Sequence, residues 1–325
     1  MTTADPLAAY TLIQRAVGAA ETPVQGLCIG LTWTSCRTAD GLGFAMSPGT
    51  ATRVLSWPGS VAGRPLQEVA GWLSSWNPFE ATVGLAAANA AINRPTNALM
   101  TGAATITADG PGNLAVFTHF RPRLAGRKVV VIGRYPGLDS VLTGLDVTVL
   151  EREPSAADLP DPAAEFLLPQ ADWVFLTATS LINKTFPRLS ELARDAVTVL
   201  MGPSTPWLAE WADFGIDYLA GVQVVDGARA EQIAAEGGGT RLFGEGVRYA
   251  VADIGAARMD AIKGQIADTA ARRDALKAEM TAWYETGNAA RFPKRDALAA
   301  VDTELSRLDS CYKRLWDARQ DPSLK

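Results

Sequence analysis

Histidine is almost missing from this chain: one imidazole, His119, in 325 residues. Zinc and non-haem iron centres built by protein side chains need two or more imidazoles or a thiolate cluster. The three cysteines, Cys28, Cys36 and Cys311, stand at unrelated spacings, and there is no HExxH, no CxxC pair and no His-rich tract. No protein-built transition-metal site is expected, and the sparse thiols read as reduced side chains of a cytoplasmic protein. Basic blocks are also missing. The net charge is −5 and the Lys and Arg residues are dispersed, which argues against nucleic acid and against an anionic membrane surface. No run of about 18 apolar residues is present, so no membrane span is expected. The start, MTTADPLAAYTLIQRAV, lacks a basic segment followed by a continuous apolar core, so no signal peptide is expected. With one histidine and no G-x-S-x-G elbow, a Ser-His-Asp arrangement would have to use His119. A lone histidine beside Phe120 and ahead of the Arg121–Pro122–Arg123 linker reads as structural.

What is present is organised around VVVIGRYPG, residues 129–137. Four β-branched residues run into a Gly/Pro turn, and a second run, Val147–Thr148–Val149–Leu150, ends on Glu151. Strand, turn, short crossover and strand open a parallel α/β sheet. Further strands are predicted at 173–177, 196–201 and 218–222, with helices at 137–143, 186–193 and 206–214. Alternation of this kind predicts a doubly wound sheet whose ligand lies outside the carboxyl ends of the strands. The loops there are Gly133–Gly137, 177–185 (TATSLINKT), 202–205 (GPST) and 221–226 (GVQVVD). Glu151 stands where an acid can bind ribose, but G-x-G-x-x-G is absent, which weighs against a dinucleotide.

Upstream, residues 7–20 have helical spacing. Residues 26–34 alternate as one strand with Leu27, Ile29, Leu31 and Trp33 on a common face, and 42–46 forms another. Asn77, Pro78 and Glu80 have the pattern of an N-cap, a first-turn proline and a capping box. The helix that follows carries a small-residue surface at Gly84, Ala87, Ala88 and Ala91 that admits another backbone. Its amides Asn89 and Asn93 need backbone or ligand partners if buried. Leu114, Val116 and Phe117 suggest a short strand. Ser204 or Thr205 would cap a helix begun by Pro206, leaving N–H groups for an anion. Asn183, Lys184 and Thr185 offer amide, ammonium and hydroxyl on a neighbouring loop.

From about residue 252 the pattern changes. Ile262, Ile266, Leu276, Met280 and Trp283 fall on one seam, interrupted by Thr269 and Arg273. Leu298, Val301, Leu305, Leu308, Tyr312 and Leu315 continue it after Gly287–Asn288 and Pro293. This predicts an antiparallel helical hairpin. Two helices cannot enclose a core, so it must pack on the main body, a second copy or another protein.

Six stretches, DGLGFAMSPG, WNPFEATVGLAAANAAIN, VVVIGRYPGL with VTVLERE, DWVFLTATSLINKT, GPSTP and GVQVVD, occur in the order seen in a family of heavy-metal chelation proteins. The chain resembles that family over about residues 5–226. The resemblance implies an N-terminal domain like that of enolase, a Rossmann-like domain, and an active-site cleft between them. Its boundaries here would be 1–122 and 123–251, with the hairpin, 252–325, outside the resemblance. The implied cleft draws on Asn77, Glu80, Asn89, Gly133, Arg134, Tyr135, Gly137, Asn183, Thr185, Gly202, Ser204 and Thr205, to which Lys184 adds a cation. Members often carry His–Phe where this chain has Arg134–Tyr135, which exchanges a metal ligand for a fixed charge. The expected function is binding of a small anionic ligand, with any metal carried in by that ligand, in metal or cofactor homeostasis. Two other readings are a lyase or hydrolase on a heterocyclic metabolite with Glu80 as acid/base, and an adaptor docking a metalloprotein through the hairpin. The hairpin also suits a homodimer. No protein-bound cofactor is specified.

Overall fold

Two sheets and a helical pair carry the fold in this computed structural model, which describes residues 5–106 and 110–320. Helix α1 (Ala8–Val17) buries Ala9, Tyr10, Ile13 and Val17 at helical spacing. Strands β1 (Gly26–Ile29), β2 (Trp33–Arg37) and β3 (Leu42–Met46) form an antiparallel sheet in sequence order. The single strand expected over 26–34 is two strands. The chain turns at Gly30–Thr32, and Leu31 sits at the tip, 87% exposed, rather than beside Ile29 and Trp33. Alternation alone does not register a tight turn that preserves the period on both sides.

Helix α2 (Leu66–Gly71) leads into α3 (Pro78–Ile92). Asn77 caps α3, its Oδ1 accepting from the N–H groups of Phe79 (2.9 Å) and Glu80 (3.3 Å). Every residue from Ala81 to Ile92 is buried, so α3 is a core helix with no solvent face. Its small residues let β3 come close. A Cβ on Gly43 would lie 2.2 Å from the Ala86 carbonyl oxygen and 2.2 Å from the Ala90 nitrogen.

Helices α4 (Ala98–Gly102) and α5 (Ala115–Phe120) follow, with β4 (Ala104–Thr105) between them. The strand expected at Leu114–Phe117 is the helix α5. A short apolar run has no decisive period, and here it lies over the sheet through Phe117 and Phe120, which pack on Phe175. His119 ends α5 edge-on to Phe120. Burial and the neighbouring Arg123 charge hold its pKa below the usual value.

The large sheet contains β5 (Lys128–Ile132), β6 (Asp146–Glu151), β7 (Leu159–Pro160), β8 (Trp173–Thr177), β9 (Val197–Met201), β10 (Tyr218–Val224) and β11 (Val247–Asp253). Its order is β4-β11-β10-β9-β8-β5-β6-β7. The six strands from β10 to β7 are parallel, and β11 and β4 add antiparallel edges. Numbered from β5, the parallel strands run 3-2-1-4-5-6, the doubly wound order with its switch point between β5 and β8. Helices α6 (Leu138–Val141), α7 (Ala164–Leu167), α8 (Phe186–Leu192), α9 (Gly227–Ala235) and α10 (Leu242–Glu245) cover the sheet with several 3-10 turns. Pro206 does not start a helix. Residues 206–208 stay irregular, and a 3-10 turn spans Ala209–Phe214.

Helices α11 (Ala256–Glu285) and α12 (Arg295–Arg319) form the hairpin. They meet along the seam read from the sequence, with Ile262, Thr269, Leu298, Val301, Leu308 and Leu315 buried. The base docks on the amino ends of the parallel strands. Arg314 binds Asp172 (2.9 Å), just before β8, and Arg258 binds Asp217 (2.6 Å), just before β10. The Tyr218 hydroxyl donates to the Ala318 carbonyl. The outer half extends from this base, since 30 helical residues span about 45 Å at roughly 1.5 Å each.

Candidate functional site

The carboxyl-edge loops expected to receive a ligand are adjacent in space, because β9, β8 and β5 are neighbours. Their polar groups, however, are engaged with one another. Gly133 turns the chain at φ +97°. The Arg134 N–H, which a pyrophosphate would need, donates instead to Glu151 Oε2 at 2.7 Å. The Arg134 guanidinium is held by Asp158 (3.0 Å) and Asp139. It is therefore not the open positive charge expected from the sequence, and Glu151 is not an open ribose acceptor. The Pro136 carbonyl accepts from Asn113 at 3.1 Å, and Gly137 opens α6 at φ +85°. Tyr135 lays its ring edge-on to Phe117. Burial pushes its hydroxyl up to about 12, against a smaller downward pull from Thr177. The first crevice of the sheet is thus filled from within, as a tyrosine and a carboxylate occupy the space and the donors that a dinucleotide would use.

The GPST loop is likewise bound into the joint with the N-terminal sheet. Ser204 Oγ accepts from the Met46 N–H (2.9 Å), and its carbonyl accepts from Asn89 Nδ2 (3.0 Å). Asn89 also donates to the Phe44 carbonyl (2.8 Å), and Asn93 donates to Thr205 and accepts from Trp207. Neither Ser204 nor Thr205 caps a helix. The two amides of α3 meet backbone, which joins α3, β3 and the loop after β9. Asn89 Oδ1 and Thr205 Oγ1 remain buried without a partner among the described residues. Gly202 stands at the head of this loop at φ +110°.

Glu80 does not close a capping box. Its carboxylate accepts from Ser75 (2.6 Å) and Ser56 (3.0 Å), and the Asn77 N–H donates to Ser75 Oγ instead. Asn183 Oδ1 accepts from the N–H and hydroxyl of Thr185 and so builds the turn before α8.

Lys184 differs from the rest. It is the only non-glycine residue at positive φ among the described residues, +66°. Its ammonium donates to the Leu73 carbonyl (2.6 Å) and the Ile182 carbonyl (3.2 Å) and lies 5.2 Å from the centre of the Tyr10 ring. It makes no ion pair among the described residues, and burial draws its pKa down to about 8. It lines a cavity of about 1200 Å3 between α1, the segment before α3 at Ser74 and Trp76, α8, the 209–214 turn and the base of the hairpin. Leu7 and the 85%-exposed Trp76 stand at its rim, and Phe214 and Ile262 give it apolar wall. Arg194, at the far end of α8, adds an exposed guanidinium with no carboxylate partner among the described residues. Sequence reasoning named Lys184 but not this cavity, because about a third of its wall comes from the hairpin some 70–130 residues later.

Cys36 and Cys311 are buried and Cys28 is half-buried. Burial pushes Cys36 up to about 12, away from the thiolate a metal needs. No group of three His, Cys, Asp or Glu side chains is placed to hold an ion among the described residues, and no described helix is long and apolar enough to cross a membrane.

Two family models, both described as "Putative heavy-metal chelation", match residues 10–92 and 115–253. A solved structure of unknown function from the DUF364 family, from Desulfitobacterium hafniense, is 33% identical with a TM-score of 0.67, covering 78% of this chain and 100% of its own. Another from Pyrococcus horikoshii is 22% identical with a TM-score of 0.63, covering 74% and 98%, a likeness that bears on the fold alone. An uncharacterized protein of Methanocaldococcus jannaschii is 35% identical over 86 residues, 25% of this chain and 33% of that protein. The match therefore spans about a third of that curated relative. Both family models stop before α11, so the hairpin lies beyond them.

Proposed function

This chain belongs to the heavy-metal chelation family, and from that membership we propose that it binds a small anionic chelate in the cavity lined by Lys184. The observation that carries the reading is the Lys184 ammonium, a cation on the wall of a cavity of about 1200 Å3 with only neutral carbonyls as hydrogen-bond partners. Of the two cations first assigned to the cleft, Arg134 is neutralised by two aspartates and Lys184 is not. A charge of this kind, half-removed from water, gains most from an anion that displaces the remaining solvent. The donor set does not fit a bare heavy-metal ion, given one histidine and three separated thiols. A metal would enter as cargo, held by the ligand's own oxygens. Asp5, Glu191 and Asp213 also line the cavity, so a bound anion must place its carboxylates at Lys184 or Arg194, away from these side chains. In this reading the cavity has three walls, from the N-terminal unit, the sheet domain and the hairpin, and the outer hairpin is left for a second copy or a protein partner.

Isothermal titration with citrate, ferric citrate, and zinc or nickel ions alone tests this. Citrate or its iron complex should bind, and Lys184→Met should weaken binding about tenfold or more, the loss of one charge-assisted contact worth roughly 1.5–3 kcal/mol. Stoichiometric binding of the bare metal ions, unchanged in Lys184→Met, would overturn the reading.

A further inference from the structure

We propose that Lys184 is also a nucleophilic amine, which takes up a small aldehyde or ketone bearing an anionic group as a Schiff base in the same cavity. The inference rests on the reading of that cavity as a ligand site. Its first support is the backbone. A lysine in the left-handed region is strained relative to ordinary conformations, and such strain persists where the surroundings over-determine it, often at functional positions. Here the turn built by Asn183 and Thr185 fixes the backbone, and Leu73, Ile182 and Tyr10 fix the side chain.

Its second support is the surroundings of Nζ. An ordinary surface lysine is stabilised as the ammonium by water or a carboxylate. Lys184 lacks a carboxylate partner among the described residues; its two carbonyl acceptors and the Tyr10 ring face favour the ammonium, and its burial works against it. Asp5, Arg188, Glu191, Arg194 and Asp213 share the cavity, but no carboxylate reaches ion-pair distance of Nζ among the described residues. Such desolvation favours the free amine, the form that attacks a carbonyl carbon. At pH 8 about half of the Lys184 population would be neutral, given its pKa of about 8. For an unperturbed lysine the neutral fraction is less than about 1%.

The chemistry balances without a further reactant. The Nζ lone pair forms the C–N bond, and the carbonyl π pair passes to oxygen. The two amine protons then leave with that oxygen as water, giving the imine. The two backbone carbonyls hold the amine in place before attack, and the open mouth of the cavity supplies the path for the carbonyl compound and for water.

Glyoxylate, a small aldehyde carrying a carboxylate, serves as the probe on the 325-residue chain. Cyanoborohydride traps any imine, and peptide mass mapping compares Lys184 with exposed lysines such as Lys277 and Lys294. Lys184 should be modified at least tenfold faster at pH 8, with a rate midpoint near that pH. Lys184→Arg should lose the fast site while labelling of Lys277 and Lys294 keeps its pace. Labelling of Lys184 no faster than Lys277 overturns the proposal. If citrate still binds in that case, the anion site stands and only the nucleophile falls. If citrate fails to bind as well, both readings fall.

Discussion

Replacing Arg258 with methionine is expected to destabilise the protein by about 3–5 kcal/mol, the range for breaking one side of a buried ion pair. The Arg258 side chain is only 8% exposed and Asp217 is fully buried. The guanidinium donates to Asp217 and also to the carbonyls of Ala196, Gly215 and Arg194. Its removal would leave four acceptors without this donor, one of them the fully buried Asp217 carboxylate. Burial already pushes the Asp217 carboxyl up, opposed mainly by Arg258 and the Thr198 N–H. Without Arg258 it should rise further, which fixes the sign of the pH dependence. A carboxyl whose folded pKa exceeds its unfolded one loses stability as pH rises from the unfolded value through the folded one. The variant should therefore be closest to the parent near pH 5 and furthest from it near pH 8. Urea denaturation at the two pH values measures this, and a deficit independent of pH would mean that the lost packing, and not the stranded charge, dominates. Pairing the variant with Asp217→Asn should restore part of the loss.

The second large effect is expected in the N-terminal unit. Gly43→Ala should cost about 3 kcal/mol, the upper end of the usual overpacking range, because its methyl would meet the backbone of α3 at Ala86 and Ala90 and not the end of a flexible side chain. Helix α3 cannot retreat, since it is buried along its length and its Asn89 and Asn93 are bonded to the backbone of β3 and of the loop after β9. The shift should therefore travel to Ser204 and Thr205. Thermal melting gives the stability loss. Amide exchange at Met46, whose N–H donates to Ser204, gives the transmission, and unchanged protection there would show that the joint absorbs the methyl locally.

Much of this architecture was legible because it depends on local pattern. β-Branched runs specify buried parallel strands, Asn77–Pro78 specifies a helix start, and the hairpin seam repeats over enough turns to be unmistakable, even with Thr269 and Arg273 inside it. The turn at Gly30–Thr32 was hidden because Leu31 continues the apolar alternation while pointing outward. The site was harder to read, for a different reason. Arg134 looks like an anion receptor until Asp158, 24 residues on, returns to face it. The amides of α3 look like ligand donors until the GPST loop, more than 100 residues away, presents its carbonyls. Whether a polar group is free or satisfied is a property of the tertiary fold, and motifs record only that the group is there.

The pairing of β4 with β11 bears on how the chain assembles as it is made. Thr105 lies opposite Ala250, and the Ile106 N–H donates to the Tyr249 carbonyl. A segment synthesised in the first third of the chain must therefore wait until some 145 residues more have emerged before its last backbone partners exist. The closure entropy of such a long loop grows only slowly with length, but contacts this distant in sequence form late. Once β10 has emerged, its outer edge stays unpaired until β11 follows, a hydrogen-bonding template open to other nascent chains. The helical hairpin follows β11 directly, so its Arg–Asp clasp at the amino edge would close only after the sheet is complete.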